Sequence, residues 1–539
     1  MTNGYLMIIL HAHLPYVRHP EFERFLEERW LFEAVTETYI PLIKFLDRLR
    51  DEGSPFRLTL SISPTLANML EDPLLRTRCE QHLEMMIRLA EQECERTRHW
   101  HDINFLAWMY KRLFEEARET FVDRCGTRLT EAFREYAESG QLELITCAGT
   151  HGFLPLLSSD SQTVRAQVFS AVQEHERIFG FTPKGLWLPE CAYYPGLDEV
   201  LAEAGVRYFV VDSHGIENAN PRPLFGVNAP VYCPSGVAAF GRHPTTSRLV
   251  WSSRVGYPAD YNYREYYRDI GFDLDDQYLD PYRYATGIRT PTGIKYHRIT
   301  GPTQDKHLYN PDWAAGTAYS HAQDFANRCR SQAFRSRGHM PYPCTIVSPY
   351  DAELFGHWWF EGPQWLYQLL RELGRGGDLE LSTPGEYLAK YPIHQKAVPS
   401  PSSWGHKGYH ARWVNPKTDW MWGPLHEAAA RMRQTVENYS APTTGNGSGR
   451  DARDLEERAL RQAGRELMLA QSSDWPFMIT GGDTENYARR RIGDHLNRFH
   501  DLLNDFDQKR IDRQRLEAFE HMDAVFPELD YRLFAPSPA

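Results

Sequence analysis

Little in this chain points to a membrane, a nucleic acid or a disulfide scaffold. No apolar run approaches the roughly 20 residues that span a bilayer. The first such run, Tyr5 to Leu10, ends at a histidine, and no basic segment precedes it in Met1-Thr2-Asn3-Gly4. Neither a secretory leader nor a membrane anchor is therefore expected. Lys and Arg number 60 against 72 Asp and Glu, a net charge of −12 with both signs interspersed, which leaves no basic face for nucleic acid or anionic lipid. The eight cysteines (79, 94, 125, 147, 191, 233, 329, 344) contain no CxxC pair and no regular spacing. They are expected to be reduced, mostly buried thiols of a cytoplasmic protein. There is no HExxH motif and no internal repeat.

What is present is length and aromatic content. A chain of 539 residues is too long for one compact core and suits two or three domains. The 14 Trp and 29 Tyr offer flat faces that can stack on pyranose rings, or simply fill a large core. A neutral sugar polymer fits the acidic balance better than a polyanion does.

The first 400 residues alternate short apolar strands with amphipathic helices, which implies an α/β fold with a mainly parallel sheet. Strands are expected at 5–10, 56–62, 142–147, 184–188, 207–211 and 344–347, and helices at 75–98, 104–138, 160–179, 196–204 and 319–335. Several of these strands end in polar groups, as in a β/α barrel that gathers its active site at the C-terminal strand ends. The alternation fails over 213–300, rich in Pro, Gly, Tyr and Arg, which is expected to be an insertion partly covering the site. Thus 1–400 reads as a catalytic barrel with that insertion, and 401–539 as an all-α domain with helices at 425–439, 451–470, 484–506 and 512–523. The stretch 441–450, small and Gly-rich, reads as a mobile loop.

Two runs carry the chemistry. Trp187-Leu188-Pro189-Glu190 and Ser348-Pro349-Tyr350-Asp351 each place a carboxylate just past a buried strand, among aromatics. Glycoside chemistry needs two such carboxylates, about 5–5.5 Å apart where the anomeric configuration is retained. Glu190 could instead serve a helix N-terminus, and Asp351 could cap the turn that follows it. Glu353 competes with Asp351 for the acid role. His11 and His13, at the end of the first strand, point to one side and could contact sugar hydroxyls or bind zinc. His151, in the Gly149–Gly152 turn, is a third polar group of this kind. Asp474 follows a long helix and reads as a cap or as a group reaching the barrel mouth. Trp404 and Trp413 lie among Lys407, Arg412 and Lys417, which favours exposed, ligand-stacking rings over core packing.

Taken in order, HAHLP (11–15), GTHGF (149–153), WLPECAY (187–193), SPYDAELFGHWWFEG (348–362) and SSDWPF (472–477) resemble the five motif regions of glycoside hydrolase family 57, in particular its members that act as 1,4-α-glucan branching enzymes. The resemblance covers almost the whole chain. It implies a (β/α)7 distorted TIM-like barrel with an inserted subdomain and an all-α C-terminal domain. It implies Glu190 as nucleophile and Asp351 as acid/base. His11, His13, Trp30, His151 and Asp474 would line the sugar site, and Trp404 and Trp413 would guide glucan. Tyr232 would be the tip of a mobile loop that shields the intermediate from water. No metal or organic cofactor is implied. The partner would be an α-glucan such as amylose, amylopectin or glycogen, met by a cytoplasmic monomer or at most a dimer.

Three positions depart from the family pattern: Phe272 where Trp is expected, His243 where an acidic residue is expected, and Ala259 where Gly is expected. Rival outcomes on the same carboxylates are an α-amylase and a 4-α-glucanotransferase. Other classes are a zinc-dependent polysaccharide deacetylase built on His11 and His13, and a glucan-binding protein without turnover.

Overall fold

The computed structural model describes residues 2–252, 254–285, 287–439 and 447–536. Of the expected loop at 441–450, residues up to 446 lie outside this description, and the chain from 447 on is helical. Nine strands form among the described residues: β1 (Gly4–Ala12), β2 (Leu58–Ile62), β3 (Leu142–Cys147), β4 (Gly185–Trp187), β5 (Tyr208–Val211), β6 (Val231–Tyr232), β7 (Ala238–Gly241), β8 (Cys344–Asp351) and β9 (Leu379–Leu381). The chain divides into two compact units: 1–60 with 69–144 and 242–391, and 61–68 with 145–241 and 392–539. The division falls inside β2 and β3.

In the first unit β1 runs parallel to β8 on one side and β9 on the other. All nine residues of β1 are buried, as are all of β8 before Asp351. Burial on both faces is why these strands read as continuous apolar runs rather than alternating ones. Helix Pro311–Ser336 packs against both strands. Its start is set by Asn310, whose side chain accepts from the Asp312 and Trp313 N–H groups at 3.1 and 3.0 Å, with Pro at the first helical position.

In the second unit β3, β4, β5 and β7 are successive parallel neighbours, and β6 closes the edge antiparallel to β7. Helix Ser161–Phe179 begins at Asp160, whose carboxylate accepts two backbone N–H groups at 3.1 Å, and ends at Gly180 with φ 83°. The C-terminal part is helical: Asp419–Asn438, Gly447–Ala470, Asp474–Gly481, Glu485–Asp507 and Arg513–Met522. Buried polar groups pair in this helical part: His495 lies 2.7 Å from Glu466, both fully buried, and the partly buried Arg498 lies 2.6 Å from the fully buried Asp523.

The expected strands and the C-terminal helices are present, with three differences. The hairpin β6–β7 falls inside the stretch expected to be an insertion, yet β7 pairs in register with β5 from Tyr208–Ala238 to Val211–Gly241. Its sequence, Ala-Ala-Phe-Gly, has no β-branched residue and is too short for a periodic signal. The helix expected over 104–138 is two. His101–Glu119 runs on through Thr120–Arg124, then Gly126 (φ 55°) and Thr127 (φ 63°) break the chain before Leu129–Glu138. The short helix at Asp474 was not foreseen. All eight cysteines are buried thiols outside any disulfide. No helix among the described residues is long and apolar enough to cross a membrane.

One glycine fixes how the chain leaves β8. Gly356 has φ 117°, and a Cβ there would overlap the backbone carbonyl of Glu37. Gly356→Ala should therefore destabilise the fold by about 2 kcal/mol or more. The check is the urea unfolding midpoint; an unchanged midpoint would contradict the close approach.

Candidate active site

Past the end of β4 the chain makes one tight turn, Pro189–Cys191, in which Glu190 (φ 62°) and Cys191 (φ 50°) both take left-handed backbone. Such a conformation costs a non-glycine residue about 1 kcal/mol or more. It persists because the turn is pinned. The Cys191 N–H donates to Leu188 O at 2.8 Å, the Ala192 N–H to Pro189 O at 3.0 Å, and the Trp404 N–H to Glu190 O at 3.0 Å.

The same partners that hold the turn hold the Glu190 carboxylate. The Trp404 indole N–H donates to Oε2 at 2.7 Å, and the Ser473 hydroxyl to Oε1 at 3.1 Å. Each oxygen thus accepts a charge-assisted hydrogen bond, in a side chain only 13% exposed. His151, also left-handed (φ 58°), sits alongside, its Nδ1 2.7 Å from Ser473 Oγ and 3.9 Å from Glu190 Oε1. Asp474 opens the helix next to Ser473 and accepts from the Ser472 hydroxyl at 2.5 Å. Glu190, His151 and Trp404 therefore assemble, with Asp474 one residue from the group and Ser473 at its centre.

Trp413 and Tyr232 depart from expectation. Trp413 is 1% exposed and stacks on Phe153 with ring centroids 4.4 Å apart. It supports the Trp404 loop from beneath: a Cβ at Gly405 would lie 2.5 Å from its ring, so only glycine fits. The neighbouring Lys and Arg that suggested an exposed ring serve the surface around it, while the indole is core. Tyr232 is not at the tip of a mobile loop. It lies in β6, paired with Ala238, and its backbone also exchanges hydrogen bonds with Gln395 and Ala397, both at 2.9 Å.

In the other unit, register places His11 opposite Asp351 in the β1–β8 pair. Asp351 is half-buried and His11 buried. The His11 and His13 rings stack at 5.7 Å and 14°, the same-side placement expected of alternate strand residues. Glu353 is committed elsewhere. Its Oε1 accepts from the His13 N–H at 3.2 Å and from the Tyr39 hydroxyl. Burial pushes the Glu353 carboxyl above its usual range, and the Tyr39 phenol well above its own. Trp30 is half-buried on helix Glu28–Ala34.

The three departures from the family pattern lie apart from both carboxylates in sequence and differ in what they do. His243 Nδ1 accepts the Thr246 N–H at 3.4 Å as the cap of helix Pro244–Trp251, the task an acidic residue commonly performs. Burial holds its pKa at about 4, so the ring stays neutral and able to accept. Phe272 is 46% exposed on a short helical turn, and Ala259 ends the turn Tyr257–Ala259.

Sequence reasoning missed Ser473, Tyr39 and the pair Glu37–His357. Ser473 stood inside the SSDWPF motif, where only its neighbour Asp474 was singled out.

Residues 7–398 match the model of glycosyl hydrolase family 57, and residues 424–534 match the model described as 1,4-alpha-glucan branching enzyme, C-terminal. A 1,4-alpha-glucan branching enzyme from Thermococcus kodakarensis is 33% identical over 97% of this chain and 77% of its own. Among solved structures, the alpha-amylase AmyC from Thermotoga maritima is 42% identical with a TM-score of 0.91, covering 99% of this chain and 100% of its own. A GH57-type branching enzyme from Pyrococcus horikoshii is 31% identical with a TM-score of 0.87, covering 100% of this chain and 98% of its own.

The segment after Asp351 is tied down by His357, whose Nδ1 lies 2.6 Å from Glu37 Oε2. Burial alone would lower the His357 pKa, but the Glu37 carboxylate outweighs it and the pKa is raised above 6.5. Burial likewise opposes the charge on Glu37, yet His357, Arg264 and Lys295 bring its pKa from 4.5 down to about 2. The histidine's contribution is full below pH 6.5 and is lost as pH rises through its raised value. The glutamate's is full above pH 4.5 and is lost as pH falls toward 2. His357→Gln should therefore destabilise more at about pH 5.5 than at about pH 9, read from urea midpoints of both proteins. An equal difference at the two pH values would contradict the ion pair.

Proposed function

The chain belongs to glycosyl hydrolase family 57, and from that premise we propose that it is a 1,4-α-glucan branching enzyme, cutting α-1,4 bonds of an amylose- or glycogen-type polymer and rejoining the fragment through α-1,6 bonds. The observation that carries this reading is that the segment matching the branching-enzyme C-terminal model supplies the Ser473 hydroxyl to the Glu190 carboxylate.

In the proposed reaction Glu190 attacks the anomeric carbon while Asp351 protonates the departing glycosidic oxygen. A covalent glycosyl-enzyme and a shortened chain result. Asp351, now ionised, takes the proton of an acceptor 6-hydroxyl, whose oxygen displaces Glu190 from the anomeric carbon. Two displacements retain the α configuration. The tight turn and the two donors fix the attacking carboxylate before substrate arrives, so little reorganisation is needed at the transition state. The commitment of Glu353 to Tyr39 and the His13 backbone favours Asp351 over Glu353 as the acid/base. His11, His13, His151 and Trp30 are proposed to contact the sugar around the cleavage point, and Asp474 to border it. The proposed setting is a cytoplasmic monomer, or at most a dimer, engaged in glycogen synthesis.

A second reading, hydrolysis by an α-amylase, draws on the Thermotoga maritima relative, at 42% identity. Products decide between them. Incubation with amylose should give new α-1,6 anomeric signals by proton NMR with few new reducing ends. Reducing ends without branches would establish the amylase. Glu190→Gln and Asp351→Asn, each nearly isosteric, should lower turnover by about a thousandfold or more while leaving the melting temperature close to wild type. Substantial activity in either variant would remove that residue from its role.

A further inference from the structure

The catalytic reading uses Ser473 only as one of two donors to Glu190, yet this side chain touches two of the proposed site residues at once. Its Oγ lies 3.1 Å from Glu190 Oε1 and 2.7 Å from His151 Nδ1, and its own N–H donates to the His151 carbonyl at 3.0 Å. Ser473 is fully buried. Its location is fixed on both sides. Before it, Ser472 bridges to Gly152 through the backbone. After it, the Trp475 indole, also fully buried, donates to Leu469 O at 2.8 Å. The carboxylate of Asp474 takes the Ser472 hydroxyl instead of competing for Ser473.

The contact with Glu190 then decides which atom carries the shared proton. A serine hydroxyl has a single proton, and an ionised carboxylate can only accept. The Ser473 proton goes to Glu190 Oε1, so the contact with His151 requires the proton on Nδ1, with Ser473 Oγ accepting. In the neutral ring that tautomer leaves the His151 Nε2 as an acceptor.

We propose that Ser473 is a positioning residue for the transfer reaction: its hydroxyl sets the orientation of the Glu190 carboxylate and fixes His151 as the Nδ1–H tautomer. The proposal rests on Glu190 being the nucleophile. Trp404 grips the other oxygen, so removing Ser473 takes away the hydroxyl donor at Oε1 and loosens the carboxylate there. A looser carboxylate misaligns the attacking oxygen while the proposed sugar-contacting side chains stay in place, so the loss falls on kcat and not on KM.

The test uses α-maltosyl fluoride, whose fluoride departs without needing a proton, so the rate of the first displacement reads the nucleophile and not the acid. Fluoride release is followed for the wild-type protein, Ser473→Ala, Ser473→Thr and Ser473→Cys, with melting temperatures measured in parallel. Ser473→Ala is expected to lose about 10- to 100-fold in kcat with KM within about twofold. Ser473→Thr, which keeps the hydroxyl, is expected to recover most of that loss. Ser473→Cys keeps the shape but donates weakly, and is expected to stay near the alanine level. Should Thr or Ala lower the melting temperature, the cysteine variant decides alone. A wild-type kcat in Ser473→Ala or Ser473→Cys, or a loss expressed in KM, overturns the proposal. Glu190→Gln is the control for the underlying reading: it should release no fluoride, and fluoride release at the wild-type rate would overturn the nucleophile assignment itself.

Discussion

The account depends on one carboxylate held at both oxygens. Glu190 stands on a turn of two left-handed non-glycine residues, a conformation that backbone sterics oppose. Trp404 and Ser473, more than two hundred residues further along the chain, hold it there. Each makes a side-chain hydrogen bond to the carboxylate. Trp404 adds a backbone bond to Glu190, and Ser473 one to His151. The position of this group thus depends on residues drawn from well-separated parts of the second unit. In the proposed role of nucleophile, Glu190 is oriented by fixed donors instead of by solvent.

The second carboxylate is handled differently. Asp351 ends a strand buried along its length, and its register partner is His11. Two residues on, the half-buried Glu353 accepts from Tyr39 and the His13 backbone. Sequence could not separate the two acids, since both lie in one motif. Hydrogen bonding tells them apart: Glu353 accepts from Tyr39 and the His13 backbone, which supports the proposal that Asp351 is the acid/base. The Glu37–His357 pair and the close approach at Gly356 then fix the loop that carries both.

The fold was legible where physics writes a strong local signal. The strands around Ile8 and Ile346 are long apolar runs because both their faces are covered, and the C-terminal helices carry a clear amphipathic period. β7 was hidden because Ala-Ala-Phe-Gly owes its strand conformation to β5 beside it, not to its own residues. Glu190 and Asp351 were legible as carboxylates after strands. Trp413 was misread because the charge of its neighbours says nothing about which way a ring points, and Phe153, more than two hundred residues earlier in the chain, is what stacks on it. Tyr232 was misplaced for the same reason: its partners at 395–397 are invisible from its own segment. Ser473 went unnoticed because a serine has no chemistry until its neighbours in space are known.

The most direct measurement is to identify the covalent intermediate. In Asp351→Asn the first displacement by α-maltosyl fluoride needs no acid, whereas the second lacks its base, so the glycosyl-enzyme should accumulate. Rapid quenching, peptic digestion and mass spectrometry would then locate the sugar. The account predicts a maltosyl adduct on the peptide containing Glu190, attached through that side chain. An adduct on another residue, or none under conditions where fluoride is released, would contradict it.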